Sequence, residues 1–112
     1  MAVMSMWFDV TIVDAENDFA EHRIVTTAGD YTRLVRWAAK NLQPTANEAC
    51  DNLQRNFGLI WFALERQGRL GEFGIPDKLD EAAITAMQDR FGVSEFEELS
   101  TDKAPLPLGL ET

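Results

Sequence analysis

Apolar positions repeat at two different periods along this chain. From Trp7 to Val13 they alternate, with Phe8, Val10 and Ile12 on one side and Trp7, Asp9, Thr11 and Val13 on the other. That period of two predicts a β-strand. Residues His22–Thr27 alternate again, with Ile24 and Thr26 opposed to Arg23, Val25 and Thr27. The acidic cluster Asp14–Asp18 between them reads as the solvated turn of a β-hairpin. A lone hairpin is marginal in water, so helices must cover one of its faces.

After Gly29 the period changes to that of a helix. Tyr31, Leu34, Val35, Ala38, Ala39 and Leu42 form one stripe, Asp30 is the expected N-cap, and Pro44 stops the run. Thr45-Ala46-Asn47-Glu48 reads as a capping box for a second helix running to about Gln67. Its early half is amphipathic through Ala46, Ala49, Cys50, Leu53 and Phe57, and its later half adds Leu59 and Phe62 on the opposite side. Phe57–Leu64 is therefore apolar all round, so it must be covered on every side or finish its burial against another chain. It is too short to cross a bilayer, which takes about 20 apolar residues. Gly58 weakens a helix by about 1 kcal/mol, which fits a place where another backbone packs closely. Trp61 and Leu64 are expected in the core.

Asp77 is the expected cap of a third helix that buries Leu79, Ala82, Ala83, Ala86, Met87 and Phe91 and stops at Gly92. Ser94–Glu97 opens a short fourth turn or helix. Pro105 and Pro107, set among Leu106, Leu108 and Leu110, exclude a helix and predict an extended or disordered tail. The expected fold is α+β: an N-terminal β-hairpin packed on three to four α-helices, with helix two central. Residues 1–100 form one small domain and 101–112 the tail.

Composition narrows the function classes. The chain has 112 residues, enough for one domain with a real core. Cys50 is the single cysteine, so no internal disulfide and no cysteine-built zinc site can form, which fits a cytoplasmic setting. The opening residues lack a basic region and a long apolar run, so no signal peptide is expected, and Met4 or Met6 could serve as the start in place of Met1. The formal net charge is −9, with nine acidic against three basic residues in 75–112. Such a surface repels phosphate backbones and makes nucleic acid an unfavourable partner. It suits a basic partner, high solubility, or mimicry of nucleic acid.

Candidate chemistry is sparse. His22, the single histidine, stands beside Glu21 and Arg23; with Cys50 it makes a nucleophile–base pair only if the fold brings them together with a third, orienting group. Asp14, Glu16 and Asp18 alternate like the front of a calcium loop, but the sixth and twelfth places hold Phe19 and Val25 instead of Gly and Glu. Gly68–Gly74 is glycine-rich, but it follows a helix where a phosphate loop follows a strand. No catalytic, cofactor or metal residue is therefore assigned. The residues expected to bind a partner are Arg33, Arg36, Trp37 and Lys40 on helix one, and Leu59 and Phe62 on helix two. A homo-oligomer closing one of these patches is the other expectation.

Three stretches resemble the tail assembly chaperones of long-tailed bacteriophages. Gly29–Trp37, entered from a hairpin, is similar to that family's aspartate-aromatic-arginine-tryptophan stretch. Phe57–Gly68, FGLIWFALERQG, resembles its aromatic helix ending in arginine and glycine, and Phe91–Leu99 resembles its acidic C-terminal segment. The likeness spans roughly residues 7–99 and departs at Ala38, where members often carry an acidic residue. It implies a non-catalytic protein of the host cytoplasm that binds the tape-measure protein and helps recruit tail-tube subunits. The alternative is a small acidic inhibitor from a mobile element that mimics nucleic acid on a host nuclease or defence protein. Glu95, Glu97 and Glu98 with Asp77, Asp80, Glu81 and Asp89 would supply its phosphate-like rows.

Overall fold

The computed structural model describes residues 7–99. Strands β1 (Trp7–Asp14) and β2 (Ala20–Thr26) lead into helices α1 (Ala28–Asn41) and α2 (Glu48–Arg66). A 3-10 turn (Gly71–Phe73), helix α3 (Glu81–Arg90) and strand β3 (Phe91–Leu99) follow. The fold is α+β, a three-stranded antiparallel sheet in the order β2-β1-β3 with three α-helices.

The hairpin forms in the expected phase. Val10, Ile12, Ile24 and Thr26 are buried on the helix side, and Val10 pairs with Ile24 across the two strands. The turn passes through Asp18 and Phe19 with φ near +55°, the left-handed region. Asp14 is not part of a solvated turn: it closes β1 and is buried.

The segment expected to be a fourth helix is a strand. Phe91–Leu99 pairs along the whole of β1, from Trp7↔Leu99 to Asp14↔Phe91. The register jumps from Thr11↔Glu95 to Ile12↔Val93, so Ser94 is the extra residue of a bulge, and its hydroxyl donates to the Thr11 carbonyl at 3.4 Å. Unpaired backbone along the second edge of β1 outweighs the weak helical pattern of this stretch. The hairpin of the sequence reading is thus two-thirds of a sheet.

Caps shift by a few residues. Thr27, not Asp30, caps α1; Asp30 sits at the third helical position and returns a bond to the Thr27 N–H, a reciprocal capping box. Asn47, not Thr45, caps α2 through the Cys50 N–H, while Thr45 bonds Asp51. Asp80, not Asp77, caps α3, which ends at Arg90 with Phe91 as its C-cap, before Gly92. In each case the side chain that reaches the orphan N–H wins over the one that merely precedes the apolar run.

The core is built on the second half of α2. Phe57, Ile60, Trp61, Ala63 and Leu64 pack with Val10, Ile12, Ile24, Phe73, Ile75, Ile84, Met87 and Phe91. At Gly58 a Cβ would lie 2.7 Å from Cδ1 of Leu34, so the close neighbour is an α1 side chain and not a backbone. The approach to α2 and its first half stay outside: Ala46, Ala49, Cys50 and Leu53 are exposed, against the expected buried stripe, because no described element packs over that end. On α3, Ala82 and Ala86 are likewise exposed, and Ile84 takes the core position beside Ala83 and Met87.

Two buried carboxylates tie the elements together. Asp30, fully buried, accepts from Arg66 at 3.0 Å and from Arg33. Asp14 accepts from Nε and Nη2 of Arg90, both at 2.8 Å, and Arg90 also donates to the Phe73 carbonyl. At the β2 edge of the sheet, Arg66 and Gln67 both donate to the Val25 carbonyl, at 3.0 and 3.3 Å.

Candidate functional site: an apolar groove between α1 and α2

The stripe on α1 divides into two rows. Leu34 and Ala38 turn inward and are buried, while Tyr31, Val35 and Ala39 form an outer row that stays open. On α2, Asn52, Arg55, Asn56 and Leu59 stand at i, i+3, i+4 and i+7 and so share a face. From the sheet come Phe8 and Phe96, whose rings meet at 5.1 Å. These walls enclose an open groove of about 590 Å³, with Leu34, Ala38, Leu42, Leu59 and Pro44 completing its lining.

Chemically the groove is an apolar trough with one polar wall. Arg55 is exposed and makes no ion pair among the described residues, and two asparagine amides flank it. Five large apolar residues are notably exposed among those described: Phe19, Tyr31, Val35, Leu53 and Phe96. Three of the five line this one groove, so the exposure is concentrated, not scattered.

The six residues expected to bind a partner are not brought to one place. Leu59 is buried at the groove's lining. Trp37 and Phe62 are half-buried against the core, Phe62 edge-on to Trp61 at 5.1 Å. Arg33 is engaged by Asp30, while Arg36 and Lys40 are exposed on α1 outside the groove. Spacing alone does not mark Tyr31, Val35, Arg55 and Phe96 as the exposed lining of a groove. A signal for it exists: the stripe on α1 has six apolar positions, more than the two that one inward row buries.

His22 and Cys50 do not form a nucleophile–base pair. His22 stacks edge-on to Phe73 at 4.8 Å, beyond the C-terminal end of α2. Cys50 is exposed on the first turn of α2, not in the core, and roughly 24 Å of helix separates it from Arg66. Cys50→Ser should change stability by less than about 0.5 kcal/mol, as for other exposed positions, which a urea titration would check. Among the described residues no group of His, Cys, Asp and Glu is placed to hold a metal ion, and no helix is long and apolar enough to cross a membrane.

The carboxylates of β3 do not form a single row. Strand alternation puts Glu95 and Glu97 on the face of Thr11 and Asp9, and Glu98 on the opposite face with Phe8. Asp9 is itself held by Arg23 at 2.7 Å. Comparison with protein-family models, curated proteins and solved structures finds no match.

Proposed function

We propose that this protein is a non-catalytic assembly chaperone or adaptor that holds an apolar segment of another protein in the α1–α2 groove. The observation that carries this reading is the convergence of Tyr31, Val35 and Phe96 on one concave surface. Grooves between helix flanks take the apolar face of a partner helix through anchors spaced three and four residues apart. Arg55, which no carboxylate among the described residues engages, would fix the direction of that helix. The net charge of −9 keeps a chain with such a surface soluble.

Taken with the resemblance in three of its segments, this makes a tape-measure protein the proposed partner, tail-tube subunits the proposed recruits and the host cytoplasm the proposed setting. In this reading α2 is the central helix, its second half holding the core and its first half offering the partner surface.

Val35→Asp is the decisive variant, because Val35 is exposed and lines the groove. Co-expressed with a tape-measure protein, the proposed partner, the variant should lose at least about 2 kcal/mol of binding, some 30-fold, with a melting temperature close to wild type. Undiminished co-purification would overturn the groove as the docking surface. Trp37→Ala and Phe62→Ala are less clean, since both side chains also pack on the core.

A further inference from the structure

We infer that the groove is also the docking site of this chain's own segment Pro105–Leu110, which therefore competes with any partner. The expected tail lies outside the described residues, and the inference rests on the pattern of its sequence and on where the chain leaves the sheet. It also rests on the groove being a docking surface. The chain leaves β3 at Leu99, three residues beyond Phe96, which forms part of the groove wall. The seven residues from Leu99 to Leu106 can span up to about 25 Å, so the groove is within reach.

Leu106, Leu108 and Leu110 recur at every second position, which in an extended segment puts all three on one side. Pro105 and Pro107 carry no N–H, and the groove is walled by helix flanks and side chains that ask for no backbone ladder. Proline also lowers the entropy lost on docking. Glu111, next after Leu110, offers Arg55 the carboxylate it lacks among the described residues. Tethering through so short a linker gives the segment an effective concentration of about millimolar, which favours it over a second copy of the chain at ordinary concentrations.

The test uses the full chain carrying Cys50→Ser, with thiols introduced in pairs. Under mild oxidation, Val35→Cys with Leu108→Cys should form an intrachain disulfide at least tenfold faster than Leu53→Cys with Leu108→Cys. Leu53 is exposed on α2 but outside the groove. Equal rates, or a disulfide-linked dimer as the main product, would overturn the inference. As a second reading, replacing Leu106, Leu108 and Leu110 together by serine should raise the fluorescence of anilinonaphthalene sulfonate several-fold, and adding Val35→Asp should remove the rise. Unchanged fluorescence in the triple variant counts against the inference. The locked disulfide form should not bind a tape-measure protein, the proposed partner. A lock that forms yet leaves partner binding intact upholds the tail contact and overturns the groove as the partner's site.

Discussion

Trp61→Ala should lower stability by about 3–5 kcal/mol, the range for removing a large aromatic side chain from a core. Trp61 is only 4% exposed, sits in the main core cluster, and stacks edge-on with Phe62. Its indole N–H donates to the Pro76 carbonyl at 3.0 Å, so the substitution removes a hydrogen bond as well as filled volume. That bond pins the loop before α3 to the side of α2, and its loss should loosen both together. For a domain near 100 residues each kcal/mol moves the melting temperature by roughly 4–8 °C, so a fall of more than about 10 °C is expected. A shift of one or two degrees would place Trp61 outside the core.

Arg90→Ala should be nearly as damaging, by about 3 kcal/mol at neutral pH, because it strips a buried carboxylate of its charged partner. Asp14 is almost fully buried, and Arg90 supplies two of its hydrogen bonds, with the Glu16 N–H giving a third at 3.0 Å. The bonds from Arg90 hold the Asp14 carboxyl below its ordinary value of 3.8, against burial, which pushes it up. A carboxylate with a depressed pKa in the folded state contributes stability that is complete above the ordinary value and disappears as pH falls through the depressed one. Wild type should therefore outlast Arg90→Ala by the full margin at pH 7, and the margin should shrink below about pH 4. Urea titrations at pH 7 and pH 3 decide it; a margin independent of pH would mean that Arg90 acts only through packing and its bond to Phe73.

Local pattern made the hairpin, the three helices and the buried half of α2 legible before any coordinates. The alternation at Val10, Ile12, Ile24 and Thr26 has a single reading, because one slip of register would put every apolar side chain into water. β3 was not legible for the opposite reason. Its run contains a bulge at Ser94, which breaks the alternation between Val93 and Phe96. Its pairing is fixed by a strand some eighty residues upstream. The caps failed at short range: Asp30 and Asp77 have the right chemistry, but Thr27 and Asp80 are the ones whose oxygens reach the free N–H groups.

The groove itself was half legible. Each apolar stripe could be read from spacing, but which row of a stripe is covered depends on where its neighbours sit. Nothing in the period of Tyr31, Val35 and Ala39 says that α2 leaves them open. Arg55 and the asparagines beside it look like any solvated helix face until the apolar wall opposite is known.

The bonds from Arg66 and Gln67 to the Val25 carbonyl have a consequence for self-assembly. They occupy an acceptor on one outer strand, where an incoming chain would otherwise register its own N–H groups. On the other outer strand, β3, the described residues supply no such plug at Glu95, Glu97 and Glu98, only the charge of those exposed carboxylates. The two outer strands are thus guarded against pairing with another chain by different means, one by side chains bonded to its backbone and the other by like charge.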